Sequence, residues 1–199
     1  AMSLGVMDFI TKPANAMRIV QVLEKAIGEV KRRQEHWEKN LEYKEKLEAV
    51  IPIIESGMIY SILFQDNYSG DTERFRELLD IPQKYGFILV IEVGDAIENR
   101  KMTNVVGMSV KAQKFYDEFR QIVKQFFSAT VGPMMANKVV VFVPVETPKQ
   151  EYKERVLTIE RADHMIQKLM TRIELFFRVG IGSVHLLDNI YPSYQEACL

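Results

Sequence analysis

Glu92 and Asp95 stand three residues apart at the end of an apolar run, residues 87–93, with Gly94 between them. Two carboxylates near a strand end could bind a ligand. The pair is therefore the candidate vestigial ligand site of this chain. The structural alternative, which we favour, has Glu92 hydrogen-bonding at a sheet edge and Asp95 capping a loop. Gly180-Ile181-Gly182 has the opening of a phosphate cradle, yet no third glycine follows at the required offset and no helix starts at its end. Strand glycines that admit a closely packed helix explain it better. Ser128, His164 and His185 show no nucleophile–base arrangement. His36, His164 and His185 share no metal-ligand spacing, and a single Cys198 cannot form an internal disulfide. Lys31-Arg32-Arg33 is surrounded by Glu29, Glu35 and Glu38, which reads as a solvated helix face. The expectation is a chain with no catalytic residue, no metal site and no cofactor.

The 199 residues are 47% apolar and 27% charged, within the ordinary globular range, with room for one or two cores. Twenty-six basic against 27 acidic residues leave a net charge of -1, so no global field marks a nucleic-acid-binding surface. No uninterrupted apolar run approaches the roughly 20 residues of a membrane span, and no basic start with an apolar segment suggests export. The expected location is the cytoplasm, with no membrane partner.

These candidate groups need elements to position them. Asn15 can cap a helix in which Ile19, Val20, Leu23, Ile27 and Val30 recur at helical spacing. From residue 24 to 48 Glu, Lys and Arg dominate, and the apolar stripe thins to Leu23, Ile27, Val30, Trp37 and Leu41, with Gln34 filling the gap. Steps of four and three make a coiled-coil seam, so a homodimer is expected through Val30, Trp37 and Leu41. Lys44 takes the next seam position, and apolar character resumes at Leu47, Ile51, Ile54 and Met58 after a phase change. Pro52 lacks a donor and predicts a break or kink near Ile51, with a second helix to about Gln65. A short helix over 71–80 follows, then a buried strand over 87–93. The next helix carries Val110, Phe115, Phe119, Ile122, Val123 and Phe126. A hairpin leads into residues 139–144, with Asn137 as its left-handed residue. A helix over 150–174 presents Val156, Ile159, Met165, Ile166 and Leu169, a strand covers 176–184, and a last helix starts near Pro192. The predicted class is α/β (α+β): a long N-terminal helix or coiled coil, then a mixed sheet flanked by helices.

This order resembles the nucleotidyl-cyclase-like fold of GGDEF domains, and more closely their degenerate relatives in response regulators of the AraC class. Phe75-Arg76-Glu77-Leu78-Leu79, residues 87–93, and Val179-Gly180-Ile181-Gly182-Ser183 leading to Ser193-Tyr194-Gln195-Glu196-Ala197 carry that likeness. It implies that Met135-Ala136-Asn137-Lys138-Val139 lies at the GGDEF motif. A cyclase needs carboxylates and glycines there, and Lys138 puts a cation in place of an acid. Gly94 likewise stands at the second metal-ligand position of the first strand. Gly5-Val6-Met7-Asp8-Phe9-Ile10-Thr11-Lys12-Pro13 resembles the end of a receiver domain, in which Lys12 would contact the phosphoryl group of the intact domain.

The resemblance divides the chain into a receiver remnant at 1–30, a coiled-coil signalling linker at 31–54 and a degenerate GGDEF-like domain at 55–199. It implies a non-catalytic signal-transmission and dimerisation segment of a two-component response regulator controlling transcription, in which phosphorylation would alter the packing of the helix. A sensor histidine kinase and DNA would be met only through parts outside this segment. A small-molecule or nucleotide sensor using a cleft over the same sheet is the alternative. A diguanylate cyclase is the weaker one.

Overall fold

The computed structural model describes residues 16–64, 69–94, 114–148, 151–173 and 175–198. Lys12, the whole receiver-like stretch, Asn15, Asp95 and Val110 lie outside the described residues. By compactness the chain divides into Ala1–Val50 and Ile51–Leu199.

Helix α1 runs over Ala16–Phe64. Up to Val50 it is supported by contacts one turn apart: Gln34 donates to Glu38 (3.1 Å), Asn40 meets His36 (2.9 Å), and Lys46 pairs with Glu42 (2.7 Å). Such pairs add only tenths of a kcal/mol each. Val30, Trp37 and Leu41 are 56%, 68% and 43% exposed, so no described residue covers the predicted seam. The expected break at Pro52 is not there, because the chain remains helical through it. Proline removes one amide donor and crowds one turn, at a cost of about 3 kcal/mol. Here Glu55, Met58, Ile59 and Ile62 are buried just beyond it and hold the backbone helical, while Ser56 Oγ donates to the Pro52 carbonyl at 2.7 Å. Tertiary packing overrides the local penalty.

α1 is also the one described helix long and apolar enough, by length and composition alone, to cross a membrane, with a windowed mean hydropathy of 1.6. Only 22% of that apolar window is buried, and Met58, Ile59 and Ile62 of the helix belong to the core.

After α2, Ser69–Leu78, strand β1 covers Tyr85–Gly94, α3 Tyr116–Phe126, β2 Thr130–Met135, β3 Lys138–Val145, α4 Tyr152–Ile173, β4 Phe176–Ile181, β5 His185–Leu186 and α5 Tyr191–Ala197. The sheet order is β2-β3-β1-β4, with β5 pairing β1. Every pairing among these strands is antiparallel. The mixture of strand directions expected from the sequence is therefore not found among the described strands. Leu89 pairs with Val141 and Ile181, and Glu92 pairs with Lys138 and Arg178.

Both faces of β1 are covered, which explains an apolar run interrupted only by Glu92. Phe87, Leu89, Ile91 and Val93 pack with Phe119 and Val123 of α3 and Met165 and Leu169 of α4. On the other face Ile88 and Val90 meet Met58, Ile59 and Ile62 of α1 and Ala197 of α5. In α4 the buried residues are Ala162, Met165, Leu169 and Ile173, while Ile159, expected on that stripe, is 52% exposed.

The paired glycines behave as strand glycines should. A Cβ on Gly180 would sit 1.8 Å from the Ala197 carbonyl oxygen, and one on Gly182 would sit 2.1 Å from that of Ser193. α5 therefore lies directly on the β4 backbone and its extension, and Ser193 Oγ accepts the Ile88 amide at 2.9 Å.

Candidate functional site

Of the polar groups singled out from the sequence, Glu92, Asn137 and Lys138 meet at the end of β1. β2 and β3 are joined by a two-residue turn, Ala136-Asn137, with Met135 paired to Lys138. The left-handed residue of this turn is Ala136, φ 54°, and not Asn137. Asn137 is engaged elsewhere. Its Nδ2 donates to Glu92 Oε1 at 3.0 Å and to the Val93 carbonyl at 3.4 Å, and its own carbonyl accepts the Val93 amide at 2.8 Å. That triple hold on β1 fixes the orientation of Asn137 and leaves the positive φ to its neighbour, where an L residue is strained.

Glu92 thus lies at the turn, and its carboxylate is a hydrogen-bond acceptor for it. Lys138 and Arg178 stand opposite it on the two adjoining strands, and paired residues project to the same face of a sheet. One acid between two cations is a poor seat for a divalent cation. Among the described residues no group of three His, Cys, Asp or Glu side chains could hold a metal ion.

A second cluster has no counterpart in the sequence reading. Glu55 of α1 is buried, with 4% of its side chain exposed, and its two oxygens are taken by different cations of α3. Oε2 accepts from Arg120, and Oε1 accepts from Lys124 at 2.7 Å. Arg120 retains a buried Nε with no partner. Nearby, Tyr116 donates to the Gly132 carbonyl at 2.5 Å, where a bulge shifts the β2–β3 register between Val131 and Met134. Burial, the largest cause, pushes the Tyr116 phenol up to about 12.

Beside this knot lies a cleft of about 490 Å³. Ile51, Leu79, Ile81, Pro82 and Pro144 give it apolar walls, and Glu55, Lys124, Ser128 and Thr130 are among its polar lining. Ser128 is thereby placed on the cleft, whereas His164 is exposed on α4.

His185 belongs to a third group. Glu196 Oε2 accepts from the Ser183 hydroxyl at 2.5 Å and from the Ser183 amide at 2.7 Å, and His185 Nε2 lies 3.0 Å from Ser183 Oγ and 3.6 Å from Glu196 Oε1. The Ser183 hydroxyl, its amide and then His185 hold the Glu196 carboxyl below the usual range. A hydrolytic triad needs the acid on the far ring nitrogen of the histidine. Here serine and acid share one nitrogen, so the group clasps α5 to the strand that precedes it.

Residues 79–199, more than half of the chain, match the family model described as a GGDEF-like domain. No curated protein and no solved structure gave a match.

Proposed function

The chain belongs to the GGDEF-like domain family, and on that premise we propose that it is a non-catalytic segment that transmits a signal along α1 and dimerises through it. One observation carries this reading. The turn at the motif position, Ala136-Asn137, contains no carboxylate, its amide side chain occupies Glu92, and Lys138 and Arg178 flank that acid. Cyclisation of a nucleoside triphosphate needs metal-bound phosphates held in line for attack, and this arrangement supplies cations where the metal would need ligands.

The exposed stripe Val30, Trp37 and Leu41 supports the dimer, since a helix with so thin an apolar face gains little stability alone. The likeness of residues 5–13 to a receiver end supports placement in a two-component response regulator that controls transcription in the cytoplasm. Kinase and DNA would be met by other parts of such a protein. A second reading, small-molecule sensing, is favoured by the cleft beside the Glu55 knot.

Incubation with GTP and Mg²⁺ or Mn²⁺ tests the main reading. No cyclic dinucleotide is expected, and turnover above a heat-treated control would refute it. The dimer has its own test. Trp37→Ala with Leu41→Ala should shift sedimentation at micromolar concentration toward monomer with the sheet domain intact by circular dichroism, and an unchanged dimer would remove the helix as the interface.

A further inference from the structure

We propose that the cleft beside Glu55 binds a small organic monoanion, a carboxylate with an apolar body, and that Lys124 is the group that receives the carboxylate. The cleft volume of about 490 Å³ lies in the range of small-molecule sites, and its lining is mixed, with polar groups and apolar side chains in similar measure. Ile51, Leu79, Ile81 and Pro144 supply the apolar surface.

The charge comes from the knot. Glu55 brings one negative charge against the two positive charges of Arg120 and Lys124, so one cation is left without a countercharge inside the cluster. The two cations are not equivalent. Arg120 is 13% exposed and does not line the cleft, while Lys124 is 38% exposed and does. An ammonium carries three donors, and the Glu55 contact at 2.7 Å uses one of them. Ser128 and Thr130 line the same space with hydroxyls suited to a carboxylate oxygen. Asp80 is the remaining charged residue of the lining, and it is exposed. Its charge opposes any anion in the cleft, and solvent screens it because the side chain is exposed, so the ligand is limited to a single negative charge.

Such a ligand would compete with Glu55 for Lys124. Because Glu55 is on α1 and Lys124 on α3, occupancy loosens one of the two ionic contacts between these helices, the Arg120 contact remaining. The cleft then becomes an input to the helix. The inference rests on the sensing reading. A protein that is silent toward both GTP and organic anions would leave the transmission reading standing and overturn this one.

The test uses the whole chain, with sodium acetate, butyrate and benzoate as probes and sodium chloride as the ionic-strength control. Thermal unfolding and calorimetry should show saturable stabilisation that grows from acetate to benzoate. Lys124→Met, with its fold checked by circular dichroism, should weaken benzoate at least tenfold, and Lys124→Arg should restore most of it. Glu55→Gln removes the internal competitor and should tighten benzoate severalfold. Absence of saturable stabilisation beyond chloride, benzoate affinity unchanged in folded Lys124→Met, or weaker binding in Glu55→Gln would each overturn the proposal. Should Lys124→Met fail to fold, Glu55→Gln and Lys124→Arg decide the matter alone.

Discussion

At the turn joining β2 to β3, Glu92, Asn137 and Lys138 are half-buried and Asn137 is bound to β1 through both its side chain and its carbonyl. At the β2 edge, Glu55 is almost wholly buried, holds two cations at once, and leaves a guanidinium nitrogen without a partner. The first region has the composition of a site and the bonding of a brace. The second came from no motif, yet it concentrates buried charge beside a cleft. Buried charges cost solvation that their partners only partly repay, so a fold gains little stability from them and far more geometric specificity. In this domain the costliest buried polar groups lie away from the turn, beside the cleft.

The severest way to break the comparison removes the frame both regions share. Val141 is fully buried at the centre of β3. Val141→Asp places an unpaired charge in the core and should abolish folding by circular dichroism, taking both regions with it. Truncating one acid in each region sharpens the contrast. Glu55→Ala strands two cations and should cost about 3 to 5 kcal/mol in denaturant unfolding, whereas Glu92→Ala loses one half-buried hydrogen bond and should cost about 0.5 to 1.5 kcal/mol. Equal losses would erase the distinction. The smallest expected effect has the opposite sign. Ala136→Gly relieves a left-handed L residue at the turn and should stabilise the fold by about 0.5 to 1 kcal/mol, as read from the unfolding midpoint.

The strands of the core were legible because β1 is apolar from Phe87 to Val93 except for Glu92, and β3 from Val139 to Val145, the mark of a strand covered on both faces. Gly180 and Gly182 were legible as packing glycines for the same local reason, that nothing but backbone fits beneath α5. Pro52 misled, since local propensity predicts a break, and only the distant contacts of Met58, Ile59 and Ile62 outweigh it. The turn was assigned its left-handed residue by type, and the bonds from Asn137 to Glu92 and Val93 reversed the choice. The Glu55 knot joins residues 65 positions apart and has no spacing to read. One signal was available. Glu55 is the only charge between Glu48 and Asp66, and a lone acid inside an apolar helical stretch demands a partner. The Ser183 and Glu196 clasp was equally distant from view, because a hydroxyl and a carboxylate thirteen residues apart meet only once α5 docks on β4.

We propose that the turn end of the sheet does not hold a metal-bound nucleotide. Calorimetric titration of the chain with GTP in the presence of Mg²⁺, repeated with Mn²⁺, measures that capacity without requiring turnover. No saturable heat is predicted, and Glu92→Gln should give the same flat trace. Saturable GTP binding that needs the metal and is lost in Glu92→Gln would contradict the claim.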